Sequence, residues 1–418
     1  MAVDPLPTLA ALGGIIAIGF VGYLLFERTR VTDVLLLILI GVLIGPVFGL
    51  FSVSAFQEAT TLVGALALIV IMFDGGLGLR LKDLLVSFWR AMLLALVGLA
   101  MTVAAVAALA HYAIGLSWPA AALLGLILGG TSGIIVMPTI ARTRAAAPTK
   151  VLLNVESALT DVFCVIGVVT LIGVLSASDA FGSASVSAAG KAIAASFSVA
   201  IVIGIVAGFL WLRLLRQLEG KKNAYMATLA AVLLLYVGVE VVGGSGAIGV
   251  LAFGIVLGNG VDLMSRFGID GRAFTARQRD FQGEITFLVR AFFFVYLGVI
   301  LDPAVLADTT FLLHGALIVA AIVAARILAA RLALAGDGST RGDRGLITFL
   351  LPRGLAATVL AGLPAAAGVA GTQNFLAYAF IAVAATNVVS TVAVWAYERR
   401  APATGAPAWD EAAATGAR

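Results

Sequence analysis

Val151–Gly173 reads VLLNVESALTDVFCVIGVVTLIG. It is an apolar run long enough to span a bilayer, yet it carries Glu156, Thr160 and Asp161 near its middle. A carboxylate at that depth costs several kcal/mol and marks an ion or proton route by default. Two of them within about one and a half helical turns make this segment the centre around which the remaining spans are read.

The composition sets the class. Of 418 residues, 62% are hydrophobic and only 11% charged, with a mean hydropathy of +1.12. Soluble domains carry about 25% charged residues, so the chain reads as an all-α polytopic membrane protein. The net charge of +4 does not point to nucleic acid, because Lys and Arg sit in short connectors rather than in one patch. A single cysteine, Cys164, excludes a disulfide framework and any multi-cysteine metal site. Only two histidines, His111 and His314, argue against a histidine metal site. No cofactor is expected. The opening MAVDPLPTLAALGG has no basic flank, so the first apolar run reads as a retained helix.

With about 20 residues per crossing, roughly thirteen spans emerge. They lie near 9–26, 33–50, 58–78, 88–112, 118–141, 150–175, 190–216, 224–243, 246–260, 281–301, 309–334, 344–366 and 372–397. The basic connectors Glu27–Arg30, Arg80–Lys82, Arg142–Lys150, Arg213–Lys222, Arg266–Arg279 and Arg331–Arg344 each follow an odd-numbered span. The positive-inside rule then puts the N-terminus outside and the C-terminus in the cytoplasm. Residues 1–400 form one transmembrane domain, and 401–418, rich in Ala, Pro and Gly, read as a short disordered tail.

Two spans contain helix breakers. One has Leu128-Gly129-Gly130-Thr131-Ser132-Gly133 followed by Pro138; the other has Leu351-Pro352-Arg353-Gly354 followed by Pro364. Seven spans separate them, and an odd offset inverts one half of the chain relative to the other. Interrupted segments in matching positions of inverted halves point to a transporter's midplane site. Backbone carbonyls freed at such breaks, with the Thr131 and Ser132 hydroxyls, are oxygen ligands suited to a hard monovalent ion.

Counting 1.5 Å per residue from the cytoplasmic ends places Glu156 roughly 9 Å deep, Asp161 and Thr131 roughly 16 Å, and Arg290 and Arg353 roughly 13 Å. Asp161, Ser157 and Asn154 share one helical stripe. Glu156 is rotated about 140° from Asp161 and shares its face with Thr160. One carboxylate is therefore expected to face a polar cavity and the other to pair with a buried cation, for which Arg290 is the natural partner because an unpaired guanidinium there is expensive. Arg353 either neutralises helix C-terminal ends or holds the crossing together. Asp74, in FDGGLGL at the inner end of the third span, reads as a helix-end or gate contact; Glu240 is open between a funnel and a packing role. Thr386, Asn387, Ser390 and Thr391 form a polar face suited to interhelical hydrogen bonds.

At these residues the chain resembles the NhaP-like branch of the monovalent cation/proton antiporters, over nearly its whole length. The Glu-Ser-x-x-Asn-Asp pattern of that family is similar to Glu156-Ser157-Ala158-Leu159-Thr160-Asp161, with Thr160 for Asn. Its Phe-Glu-Gly-Gly is similar to Phe73–Gly76 with Asp74 for Glu. Its second-break Arg-Gly resembles Arg353-Gly354, and its Thr-Asp-Pro stands here as Thr131-Ser132-Gly133, one carboxylate fewer. The resemblance implies an antiporter fold with inverted repeats and two crossed broken helices, a homodimer in the plasma membrane, and no enzymatic activity. A core near 118–175 and 344–397 would move against a scaffold of the remaining spans. It also implies that Asp161 binds cation and proton in turn, with Ser157, Thr160, Thr131 and Ser132 around it, and that Glu156 pairs with Arg290. The expected ligands are Na⁺, or K⁺, held by Asp161, Ser157 and Thr131, and H⁺.

The bare Asp161 anion is costly in a low dielectric, so only its proton-loaded or cation-loaded form is expected to cross, which makes an obligatory exchanger. One carboxylate beside Thr160 gives one proton per cation. Two rival readings are a cation channel, which has no proton coupling, and a sodium-coupled symporter of an organic anion, which does not need the Glu156, Arg290 and Asp161 set. No Ser/His, His-Glu-x-x-His or paired-Asp motif supports an intramembrane enzyme.

Overall fold

Apolar segments in lipid must satisfy their backbone donors internally, which leaves the helix as the default for each run. The computed structural model describes residues 13–14, 16–17, 20–21, 33–49, 53–79, 81–180, 186–217, 224–261, 263, 276–299, 307–335 and 341–400. Most of the first expected span and all of the tail 401–418 lie outside the described residues.

Among the described residues there are fourteen α-helices and no strand. They are α1 (Asp33–Val42), α2 (Val53–Gly78), α3 (Leu81–Leu109), α4 (Trp118–Ile127), α5 (Gly133–Ala141), α6 (Ala147–Ala180) and α7 (Val186–Gln217). The second half holds α8 (Ala224–Val241), α9 (Gly246–Gly258), α10 (Ala276–Val299), α11 (Thr309–Ala333), α12 (Arg341–Phe349), α13 (Leu355–Ala366) and α14 (Phe375–Arg400). α1 runs on into a π turn at Leu43–Val47 that contains Pro46, a place where the missing N–H is tolerated by widening the helix. Among the described residues, five stretches are long and apolar enough to cross a membrane: Trp89–Ile114, Ala147–Leu175, Ala194–Leu215, Thr309–Ala333 and Phe375–Arg399. Shorter apolar helices, among them α4, α9 and α13, accompany them.

Both expected breaks are present. α4 starts at Ser117, whose Oγ accepts from the Ala120 N–H, and ends before Gly129-Gly130, where two glycines make continued helix expensive. The backbone reforms as α5 at Gly133. Glycine at 130 also permits close approach to α6, since a Cβ there would lie 2.9 Å from Cys164 Sγ and 3.2 Å from the Thr160 carbonyl oxygen. In the second span α12 stops at Phe349 and α13 begins at Leu355. Pro352 cannot donate to a helix and pushes the preceding residue toward extended geometry.

The breaks meet one another. The Ser132 N–H donates to the Pro352 carbonyl at 2.8 Å, and a Cβ at Gly354 would collide with the Ser132 side chain.

The inverted-repeat relation is visible in the packing. α1 packs on α10, and α2 on α9; exchanging each helix for its counterpart seven spans away turns the first pair into the second. Each seam is closed through glycines. A Cβ on Gly41 would lie 2.8 Å from Gly298 Cα, and one on Gly76 would lie 2.9 Å from Gly254 Cα. α3 packs on both α6 and α11, while α14 packs on α12 and α13. The result is a bundle in which α6 and α14 flank the two crossed breaks.

Candidate functional site

α6 presents its two carboxylates to different surroundings. Asp161 is half-buried, and its Oδ2 accepts from the Gly133 N–H at 3.0 Å. Ser132, the residue that would cap α5, gives it no side-chain hydrogen bond; Asp161 does so from the neighbouring helix. Helix N-termini attract anions through their unpaired N–H groups and dipole, so this contact holds the carboxylate while it is charged. A Cβ built on Gly133 would lie 3.6 Å from both Asp161 Oδ2 and Ser157 Oγ, which brings those two oxygens together over one glycine. Ser157 Oγ donates its proton to the Asn154 carbonyl at 3.1 Å. Its oxygen is thereby left as an acceptor, the state a cation ligand needs.

Glu156 lies on the other side of the helix and is 1% exposed. Its partner is Arg326, from the middle of α11: Nη1 reaches Oε1 at 2.9 Å and Nη2 reaches Oε2 at 3.3 Å. Arg326 is a guanidinium that the sequence reading did not single out for this role, where Arg290 was the expected partner. The Arg290 side chain lies outside the described residues. Arg326 also donates to the Ile347 carbonyl through Nε at 3.2 Å and Nη2 at 3.0 Å, so it ties α6 to the last turn of α12. A bidentate pair whose guanidinium also binds a backbone carbonyl is the arrangement in which a buried ion pair is tolerated.

The hydroxyl groups sort with these two poles. Thr131 Oγ1 donates to Glu156 Oε1 at 3.0 Å, and Thr160 Oγ1 accepts from the Thr131 N–H at 3.1 Å. Thr131 and Thr160 therefore brace the first break against the Glu156 pole, and their side chains are not joined to Asp161. Of the expected cation ligands, Asp161 and Ser157 stand together, whereas the Thr131 hydroxyl is committed elsewhere. Ser132 is 3% exposed and sits at the crossing.

Arg353, 2% exposed, settles on the crossing as well. Nε donates to the Leu128 carbonyl at the end of α4 at 2.7 Å, and Nη1 to the Leu351 carbonyl at 3.1 Å. A cation at helix C-terminal carbonyls offsets their partial negative charge. The polar face of α14 completes the second break: Leu351 N–H donates to Ser390 Oγ at 3.1 Å, Arg353 N–H to Thr386 Oγ1 at 3.0 Å, and Asn387 Nδ2 to the Arg353 carbonyl at 2.8 Å. This is the counterpart of α6 holding the first break through Thr160 and Asp161.

A cavity of about 710 Å³ reaches Asp161. One wall comes from α5 and α6, with Gly133, Asn154 and Asp161; the other comes from the end of α2 and the start of α10, with Asp74, Gln282 and Thr286. Asp74, read from sequence as a helix-end or gate contact, stands in this cavity. Glu240 does not: its Oε1 accepts from the Gly246 N–H at 2.7 Å and caps α9. Arg326, Gln282 and Thr286 went unassigned at the sequence level. Arg326 is one of two arginines, with Arg331, in an apolar run (ALIVAAIVAARILAARLA), and its place next to the connector hid its role. Gln282 and Thr286, neutral and near a helix start, gave no signal.

The profile of the transmembrane sodium/hydrogen exchanger family matches residues 15–396. A K⁺/H⁺ antiporter, NhaP2, of Shewanella sp. (strain ANA-3) is 28% identical over 330 residues, 78% of this chain and 55% of that protein. A Na⁺/H⁺ antiporter, ApNhaP, of Aphanothece halophytica is 27% identical over 238 residues, 57% of this chain and 44% of that one. The chain spans about half the length of the curated relatives it matches. Among solved structures, the sodium proton antiporter MjNhaP1 of Methanocaldococcus jannaschii superposes with a TM-score of 0.79 at 19% identity, covering 95% of this chain and 99% of that one. The fold is therefore the NhaP-type antiporter fold.

Proposed function

The chain belongs to the sodium/hydrogen exchanger family, and on that premise we propose that it exchanges a monovalent cation, Na⁺ in the first place and K⁺ in the second, for H⁺ by alternating access. The observation that carries this reading is the place of Asp161: a single carboxylate of α6 lines the large cavity while touching the N-terminus of a half-helix. Cation and proton compete for that carboxylate. Ser157, whose hydroxyl proton goes to the Asn154 carbonyl, offers its oxygen to the cation beside Asp161; Glu156 and Arg326 are structural.

Every helix segment on the cavity wall belongs to the end that carries the basic connectors Arg142–Lys150 and, in the sequence, Arg80–Lys82 and Arg266–Arg279. By the positive-inside rule that end is cytoplasmic, so the cavity is the inward-facing access to Asp161. The outward-facing state arises when a core of residues near 118–175 and 344–397 shifts against the remaining helices and carries Asp161 with it. One carboxylate loaded alternately by one proton or one cation makes the exchange electroneutral. The working unit is a homodimer in the plasma membrane, with the N-terminus outside.

The test is reconstitution. Proteoliposomes holding a pH gradient are given Na⁺, K⁺ and Li⁺ in turn, with and without a voltage clamp. Cation-driven collapse of the gradient, unaffected by the clamp, is the expected result. Cation flux without proton movement would identify a channel instead, and a requirement for an organic anion would identify a symporter.

A further inference from the structure

The cavity wall opposite Asp161 carries a polar chain that the exchange reading does not use. Gln282 and Thr286, one turn apart on α10, both line the cavity while being only 3% and 6% exposed. Gln282 Nε2 donates to Thr286 Oγ1 at 3.3 Å. Its Oε1 accepts from the hydroxyl of Tyr225, a buried residue at the start of α8. The three groups form a directed series, from the Tyr225 hydroxyl to Gln282 to Thr286.

The direction has a chemical consequence. A hydroxyl has one donor and two acceptor positions. By accepting from Gln282, Thr286 keeps its proton and one lone pair for the cavity. With the Tyr225 hydroxyl donating to Gln282 Oε1, Gln282 presents its amide N–H to Thr286, so the orientation of the Thr286 hydroxyl is set from outside the cavity. Around an ion, the number and fixed orientation of oxygen dipoles decide how much of the hydration shell is replaced, and so which ion is preferred.

We propose that Thr286, oriented by Gln282 and Tyr225, is a specificity-determining group: it fixes the partial hydration shell of the monovalent cation on its way to Asp161 and sets the preference between Na⁺ and K⁺. This rests on the exchange reading above. Tyr225 and Gln282 are positioning residues that act through Thr286, while Thr286 meets the cation directly or through one water of its shell.

The experiment uses the full chain in proteoliposomes and compares Na⁺, K⁺ and Li⁺ for the wild type, Thr286→Val, Thr286→Ser and Tyr225→Phe. Losing one oriented neutral hydrogen-bonding group is expected to change the Na⁺ to K⁺ ratio of apparent KM by about fivefold, with the maximal rates little altered. Thr286→Ser restores the wild-type ratio, and Tyr225→Phe shifts it the same way as Thr286→Val. An unchanged ratio in Thr286→Val, or an equal fall in maximal rate for all three cations, overturns the proposal. If Thr286→Val does not accumulate, Tyr225→Phe against Thr286→Ser decides by the same criterion. A wild type that shows no cation-dependent proton movement overturns the exchange reading itself, which separates the two failures.

Discussion

Asp161 and Gly133 are 28 positions apart in the chain, and the carboxylate of the first accepts the N–H of the second at 3.0 Å. The acid of α6 thereby caps the half-helix that follows the first break. Asp161 also lines the cavity, so in the proposed exchange loading or unloading this carboxylate would act on a structural joint.

Replacing Asp161 by Asn separates the two duties. The amide oxygen can still accept from Gly133, so the cap survives and the melting temperature in detergent stays close to that of the wild type. The negative charge is gone, and with it the competition between cation and proton. Exchange in proteoliposomes falls to background for every cation tried. Retained dissipation of the pH gradient by Asp161→Asn would remove Asp161 from the mechanism.

Competition at one carboxylate also sets a pH signature. Below the pH at which Asp161 is half-protonated in the membrane, each unit of acidification raises the apparent KM for the cation about tenfold, because one proton must leave for one cation to bind. Well above that pH the apparent KM is flat. Initial rates measured with equal pH on both sides, over a series of pH values and cation concentrations, give the slope. A slope of two in the acid limb would mean that a second group, with Asp74 in the same cavity as the first candidate, also gives up a proton.

The apolar spans, the two breaks and the different surroundings of Asp161 and Glu156 were legible in the sequence. Glycine, proline and buried charge act locally and leave local marks. Pairing across the bundle leaves none. Glu156 and Arg326 are joined over 170 positions, and an arginine within reach of a connector reads as one more basic residue at the inner surface. Likewise the Thr131 hydroxyl has the right chemistry for a cation ligand, and only the path of the chain through the first break shows that it turns to Glu156. The capping of α9 by Glu240 was hidden for a similar reason: the contact depends on the turn at Gly243, where φ is +82°.

The Glu156–Arg326 pair makes a stability prediction. With side-chain exposures of only 2% and 5%, Glu156→Gln or Arg326→Met alone leaves a charge buried without its partner, and each is expected to cost about 3–5 kcal/mol. The double variant Glu156→Gln/Arg326→Met recovers most of that loss, since no bare charge remains. Recovery stays incomplete by about 1–3 kcal/mol because the Ile347 carbonyl loses its donor. Unfolding of the purified protein, followed for the four members of the cycle, measures the coupling. Additive losses would show that the pair is not coupled in the folded protein.

The crossing itself can be tested by moving bulk from one break to the other. A methyl group at Gly354 has no room, because the Ser132 side chain occupies its place, and Ser132 is fixed by its own N–H bond to the Pro352 carbonyl. Gly354→Ala therefore pushes the two breaks apart and weakens that bond, at a cost of about 1–3 kcal/mol for an overpacked interior. Ser132→Gly empties the same space without touching the Ser132 backbone donor. Combined, Ser132→Gly/Gly354→Ala is expected to be more stable than Gly354→Ala alone and to regain its transport rate. The rescue must be specific to this pair, because Ser157→Gly, beside Asp161 but away from Gly354, offers the intruding methyl no space. If Ser132→Gly fails to rescue while Gly354→Ala remains destabilised, the strain lies in the Gly354 backbone and the two breaks are not in direct contact there.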